Sequence, residues 1–84
     1  MEISQQRNFQ AVAEEVSITR AAERLHRVPS NLSTRLKQLE EQLGVELFLR
    51  ERQRLQLSPA GKVLLDYSAR LFALHDEAEA AVQG

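Results

Sequence analysis

The chain has 84 residues, of which 43% are hydrophobic and 27% charged; its formal net charge is −1 and it contains no cysteine. This length suits one small globular domain and excludes a multi-domain enzyme, and the lack of cysteine excludes disulfide bonds and thiolate metal sites. The apolar runs are at most four residues long, too short for a membrane span or a secretory signal, so we expect an intracellular protein that contacts no membrane.

Two short helices are predicted at residues 4–15 and 18–26, because apolar residues recur in each at i, i+3, i+4 and i+7. These residues are Phe9, Val12, Ala13 and Val16 in the first helix and Ile18, Ala21, Ala22 and Leu25 in the second. Ser17 lies between the helices and can cap the second one. Since small alanines let another helix approach closely, we expect the two helices to meet across a tight turn.

A third helix is predicted at residues 29–43, because proline is favoured in a first helical turn and Gly44 suits a helix C-cap. Its leucines lie within about 60° of one another around the axis; they are Leu32, Leu36, Leu39 and Leu43. The opposite side carries Ser30, Thr34 and Lys37, with Asn31 and Ser33 on its two flanks. We therefore expect the leucines to face inward and the small polar residues to be exposed.

Residues 47–57 predict a short β-hairpin with apolar residues on one face and arginines at its tip. Ser58 and Pro59 then supply the cap and first turn of a fourth helix that extends to about residue 83. A heptad-like seam follows this helix; its members are Ala60, Leu64, Tyr67, Leu71, Leu74, Ala78 and Ala81.

The fourth helix is predicted to be roughly 39 Å long, at 1.5 Å per residue, whereas the preceding residues form a body only about 26 Å across. Its apolar seam therefore extends beyond its own core, and we expect it to pair with a second subunit. The alternative is a helix that frays at its end. The expected dimerisation residues are Leu64, Tyr67, Leu71, Leu74 and Ala78.

The predicted order of elements is that of a mainly α winged helix-turn-helix, with three helices and a short β-hairpin wing, followed by a long dimerisation helix. We expect residues 1–57 to form the DNA-binding domain and residues 58–84 the linker or dimerisation helix. Residues 17–37 carry five basic side chains and one acid, and residues 50–54 carry three arginines and one glutamate. These two basic islands favour nucleic acid despite the net charge of −1.

Several segments also match a known family in order and separation. They are Ser17-Ile18-Thr19-Arg20-Ala21-Ala22-Glu23-Arg24-Leu25-His26, Leu32-Ser33, Leu39-Glu40, Leu43-Gly44-Val45, Leu47-Phe48 followed by Arg50, and Leu57-Ser58 followed by Ala60-Gly61. Over nearly its whole length the chain resembles the N-terminal region of LysR-type transcriptional regulators. The resemblance implies a DNA-binding winged helix-turn-helix, a linker helix that pairs two subunits, and a small-molecule effector domain that is absent from this chain.

The chain departs from the pattern of that family at three places. Val28-Pro29 stands where Ser-Gln is frequent, so a glutamine that could contact a base is missing. Thr34 stands where arginine or lysine is frequent, which would shift phosphate contacts towards neighbouring side chains. Val16 replaces a frequent glycine between the first two helices, and a β-branched residue disfavours positive φ. We expect that turn to differ slightly.

The candidate DNA contacts lie in the first turns of the third helix and in the wing. The base-edge and nearby phosphate candidates are Pro29, Ser30, Asn31, Ser33 and Thr34, the further phosphate candidates are Arg35 and Lys37, and the wing candidates for the backbone or minor groove are Arg50, Arg52 and Arg54. Glu40 and Glu41 would repel DNA, so only the first two turns should enter the major groove. The expected partner is double-stranded DNA with imperfect dyad symmetry, bound by a homodimer.

An enzyme is not expected, because the histidines and carboxylates show no metal-ligand or acid–base spacing, and no metal or cofactor is implied. The main alternative function is a small helical protein-interaction module without DNA binding. The basic islands argue against that alternative, since such a module has no need of them. From the resemblance we expect a protein of the bacterial cytoplasm that is associated with the nucleoid.

Overall fold

The computed structural model of the chain describes residues 1–51 and 54–84. In chain order, the described elements are α1 (Ile3–Glu15), α2 (Ile18–Leu25), α3 (Pro29–Leu43), β1 (Phe48–Glu51), β2 (Arg54–Leu57) and α4 (Pro59–Gln83). This is the predicted arrangement of three helices, a short hairpin and a long last helix, so the predicted fold class is confirmed.

Side-chain caps fix the starts of two of the helices. The Ser17 hydroxyl accepts a hydrogen bond from the Arg20 backbone N–H at 3.1 Å, and α2 begins at the next residue. The Ser58 hydroxyl accepts one from the Gly61 N–H at 2.9 Å, with Pro59 as the first residue of α4. Both caps satisfy backbone donors that a helix N-terminus otherwise leaves unpaired.

The core lies where α1, α2 and α3 meet below the hairpin. Its fully buried side chains include Phe9, Val12, Ala21, Leu32, Leu39 and Leu47. The prediction that the α3 leucines face inward is confirmed for Leu32, Leu36 and Leu39. It is wrong for Leu43, which is 38% exposed. Leu43 lies in the last helical turn, just before Gly44 ends α3 in a left-handed conformation, so fewer neighbours cover it.

Val16 also differs from the expectation that it belongs to the buried face of the first helix. It follows α1 as the C-cap residue, with φ 52° and ψ 32°, and it is 60% exposed. Its backbone N–H still donates to the Val12 carbonyl at 2.8 Å. The turn thus takes the left-handed conformation that a glycine would take, although a β-branched residue occupies it.

The hairpin pairs β1 and β2 in antiparallel register, with Phe48 opposite Leu57 and Arg50 opposite Leu55. Opposite residues project from the same face of a sheet, so these four side chains share one face. Phe48, Leu55 and Leu57 pack against the core, and the Phe48 ring lies 5.4 Å from that of Phe9. The predicted apolar face of the hairpin is confirmed for these three residues, and Arg50 shares that face with them.

Helix α4 packs on the body through a face that overlaps its predicted seam only at Ala60 and Leu64, which are partly buried against the core. The buried residues of α4 are Gly61, Ser68 and Phe72, and the Arg7 guanidinium lies 4.4 Å from the centre of the Phe72 ring. Residues 73–84 are all exposed, and the molecule measures 48 × 26 × 20 Å. Among the described residues, no helix combines the length and apolar character that crossing a bilayer requires.

Candidate nucleic-acid interface

The first turn of α3 is exposed, and we call residues 28–31 the α3 tip. Two side chains in the next turn, those of Thr34 and Arg35, form hydrogen bonds with residues of this tip. The Thr34 hydroxyl donates to the Ser30 carbonyl at 3.0 Å, and the Arg35 Nε donates to the Asn31 Oδ1 at 3.1 Å. Ser33 is half-buried. The predicted polar side of α3 is therefore accessible, and its side chains are held in defined positions.

The wing places Arg50 beside α3. A cleft of about 420 Å³ separates the hairpin from α3, and Ser33, Lys37 and Arg50 all line it. Its apolar floor includes Leu36 and Phe48. Lys37 and Arg50 thus face one cleft from separate elements, together with the carboxylates of Glu40 and Glu46.

A second cleft of about 400 Å³ lies between the hairpin and the start of α2. It is lined by Ser17, Thr19, Arg50 and Arg54, among others. The structure thus brings Arg50 and Arg54 to the N-terminal end of α2, where backbone N–H groups carry partial positive charge. The predicted wing residue Arg52 lies outside the described residues.

Glu40 fixes the base of the wing, a role that the sequence did not indicate. Its Oε2 accepts hydrogen bonds from the backbone N–H of Leu47 at 2.7 Å and of Phe48 at 3.3 Å. We expected this carboxylate only to repel DNA. No sequence signal identified its acceptor role, because its partners are backbone groups placed by the path of the chain after α3.

Ser58 holds the same part of the wing from the other side. Its backbone N–H donates to the Leu47 carbonyl at 2.9 Å, and its hydroxyl donates to the Glu46 carbonyl. A methyl group added to Gly61 would come within 2.2 Å of the Leu47 carbonyl oxygen. The start of β1 is therefore held between α3 and α4, and we call this region the wing base (residues 46–48).

The first basic island is less positive than the sequence suggests. Arg24 forms ion pairs with Glu14 at 2.8 Å and with Glu15 at 3.3 Å, both on α1. The hydrogen bond that Arg24 donates to Glu14 raises the pKa of Arg24 above its ordinary value, with Glu15 adding to the effect. These two carboxylates lie outside residues 17–37, so the count along that segment did not include them.

One group of side chains has the spacing of a metal site within the part of the chain that the structure describes. It consists of His75, Asp76 and Glu79, whose ligand atoms lie within 4.8 Å of one another on the exposed side of α4. His75 Nδ1 lies 3.1 Å from a Glu79 carboxylate oxygen, an ordinary i, i+4 pair on a helix. The group is far along the chain from both clefts described above.

Comparisons with known proteins place the chain among bacterial regulators. A family model described as "Bacterial regulatory helix-turn-helix protein, lysR family" matches residues 3–62. The chain is 48% identical over 82 residues to the uncharacterized HTH-type transcriptional regulator YusT of Bacillus subtilis, and this match covers 98% of the chain and 28% of YusT. It is 40% identical over 82 residues to the iron-regulated virulence regulatory protein IrgB of Vibrio cholerae, with the same coverage.

Two solved structures that contain DNA are also similar. The BenM DBD/catB site 1 DNA complex superposes with a TM-score of 0.93 at 32% identity, over 99% of this chain and 93% of that chain. The CbnR DBD–DNA complex superposes with a TM-score of 0.89 at 31% identity, over 99% and 95%. The chain spans less than a third of the length of YusT and IrgB, 28% in each case. It covers nearly all of the protein chains in the BenM and CbnR complexes.

Proposed function

The chain belongs to the LysR family of bacterial regulatory helix-turn-helix proteins and is a DNA-binding domain of that type, and on this premise we propose that two copies bind one operator and regulate transcription. Membership in a family of regulators also means that the chain is not an enzyme. The observation that carries the proposal is the orientation of α3. Leu32, Leu36 and Leu39 pack on the core, while the exposed side of α3 lies next to Arg50 of the wing.

We assign base-edge contacts to the start of α3. Short hydroxyl and amide side chains let a helix backbone approach the major groove closely. The residues assigned to base edges and adjacent phosphates are Pro29, Ser30, Asn31, Ser33 and Thr34. The inward position of Leu32 and Leu36 supports this assignment, because it leaves the opposite side of the same turns open to the groove.

Phosphate contacts come from the cations that flank this surface. Lys37 and Arg50 line one cleft, and Arg50 and Arg54 line the next. We assign Lys37 and Arg35 to DNA phosphates. We assign the wing residues to the DNA backbone or minor groove; they are Arg50, Arg52 and Arg54. Arg50 is central to the proposal because it borders both clefts.

The second subunit packs against the exposed side of α4. Tyr67 is 59% exposed and Leu74 is 63% exposed, which are large exposed fractions for apolar side chains in a folded chain. We call the five residues of α4 that we assign to this interface the α4 seam; they are Leu64, Tyr67, Leu71, Leu74 and Ala78. Leu64 is half-buried against the core, so the distal residues of this seam supply most of the interface. In function, residues 1–57 contact DNA and residues 58–84 pair the subunits.

A symmetric dimer presents two recognition helices to related half-sites about one helical turn apart, or a multiple of it, so the operator has imperfect dyad symmetry. Contact with the chromosome places the protein in the cytoplasm at the nucleoid. We further propose that a small-molecule effector acts only through a domain outside these residues, as the family implies. DNA binding by this domain itself needs no cofactor.

Selection of bound duplexes from a random pool, followed by equilibrium sedimentation at tens of micromolar, tests this function. We expect a related pair of half-sites and a dimer in solution. Asymmetric or featureless duplexes would contradict the dimeric mode of binding. A chain that pairs but binds no duplex would instead be the protein-interaction module.

A further inference from the structure

We propose that Val28 recognises the C5-methyl group of a thymine in the major groove, and so contributes sequence specificity through an apolar contact. The inference rests on the proposed function, because it requires the α3 tip to enter the groove. It goes beyond that function in naming the base and the chemical group that this side chain contacts.

The first observation is the cost of valine at this position. Val28 is the N-cap of α3, with φ −76° and ψ 133°, and it makes no side-chain cap hydrogen bond. Serine, threonine, asparagine or aspartate at an N-cap stabilises a helix relative to a residue that cannot cap it. Valine gives up this contribution and gains little burial in return, since it is 64% exposed.

The second observation concerns the neighbouring side chains. Asn31 already accepts a hydrogen bond from Arg35, and Thr34 already donates its hydroxyl hydrogen to the Ser30 carbonyl. These bonds engage the Asn31 carbonyl oxygen and the Thr34 hydroxyl hydrogen, so the contacts proposed above for these two residues would use the Asn31 amide N–H groups and the Thr34 oxygen. An exposed apolar pair, Val28 and Pro29, occupies the very start of the helix instead.

The third step is the chemistry of the groove. Thymine differs from the other bases in the major groove by its C5-methyl group, which recognition proteins contact with apolar side chains. Contact with valine would bury that methyl group away from water. At about 0.8 kcal/mol per buried carbon group, this burial would raise the affinity about fourfold. Cytosine offers an amino donor to the same surface, which valine cannot accept.

Replacement of thymine by deoxyuridine in the selected duplex tests the inference, because it removes the methyl group and leaves the base-pairing edge unchanged. We expect one position in a half-site at which this replacement weakens binding of the chain about fourfold. The Val28→Ser variant should bind the duplexes with thymine and with deoxyuridine at that position equally tightly. The same variant should also melt at a higher temperature, because serine supplies the missing cap.

Val45→Ser provides the matched control, since Val45 is another exposed valine but lies beyond the opposite end of α3. It should keep the full deoxyuridine effect. A selected site without thymine, a duplex insensitive to deoxyuridine at every position, or an equal loss in Val28→Ser would each overturn the inference. In all three cases the chain would still bind duplex DNA, whereas failure to select any duplex would overturn the proposed function itself.

Discussion

The backbone N–H of Leu47 donates a hydrogen bond of 2.7 Å to the Glu40 carboxylate, and this bond joins α3 to the start of the wing. Leu47 is itself almost fully buried. The same oxygen also accepts from Phe48, so one side chain of α3 satisfies two consecutive donors. Glu40 thereby fixes the start of β1, the strand that carries Arg50.

Glu40→Ala should therefore weaken the contribution of the wing to DNA binding. It leaves two backbone donors without their acceptor, at a cost of about 1–3 kcal/mol per buried group. We expect a lower melting temperature and a smaller slope of log K against log salt. Glu40→Gln keeps an acceptor oxygen at the same place and should retain the slope. If both variants keep the slope of the parent chain, Glu40 does not position the wing.

Arg50→Ala should remove one phosphate contact from each subunit. The slope of log K against log salt is about −0.9 per phosphate neutralised, so we expect it to shrink by about 2 in a dimer. Arg70→Ala is the matched control, because Arg70 is an exposed arginine on α4 that pairs with Asp66 at 2.9 Å. Titrations at several salt concentrations measure both. An unchanged slope for Arg50→Ala would remove Arg50 from the interface.

Gly61→Ala should destabilise the fold by about 1–3 kcal/mol, the usual range for adding volume to a packed site. The added methyl would lie 2.2 Å from the Leu47 carbonyl oxygen and 2.9 Å from Leu57. The first of these is backbone and is held by Ser58, so it cannot easily move aside. Urea unfolding measures the change. Stability equal to that of the parent chain would show that α4 can shift away from the wing base.

Val16→Gly should stabilise the chain by about 0.5–1 kcal/mol. A left-handed conformation costs an ordinary residue about 1–2 kcal/mol, part of which glycine loses again through entropy. Val45→Gly makes the same chemical change at a position without positive φ, and it should destabilise. Thermal melts of the two variants, compared with the parent chain, distinguish backbone strain from loss of the valine side chain. A lower melting temperature for Val16→Gly would contradict the prediction.

Leu74→Glu should convert the proposed dimer into a monomer, because it places a charge in the α4 seam at an interface that excludes water. Ala69→Glu introduces the same charge on the same helix, about 140° around the axis from Leu74, and should leave pairing intact. Sedimentation equilibrium separates the two results. A dimeric Leu74→Glu variant would place the contact between subunits elsewhere.

Much of the fold was predictable because local signals and packing agree. The leucine spacing of α3 predicted its inward face, and Ser58 with Pro59 predicted the start of α4. The docking face of α4 was missed, although Phe72 is large and apolar. The heptad spacing of the seam is the stronger pattern in that helix, and a single helix can carry one face for its own core and another for a partner.

The sequence analysis placed Lys37 and Arg50 in two separate basic islands, and it did not predict that both residues line one cleft. The environment of Arg24 and Glu40 was not predictable, because it depends on which distant groups the fold brings near. Arg24 meets carboxylates of α1, and Glu40 meets backbone N–H groups of the wing. Neither relationship leaves a periodic trace in the sequence.

Phe72 is the last buried residue of α4, and its ring is covered by Arg7. Beyond Phe72 the exposed part of α4 continues for about 17 Å, at 1.5 Å per residue. A tilt of about 10° at that pivot would displace the far end by about 3 Å over this length. In the proposed dimer, such a tilt of α4 would change the distance between the two recognition helices.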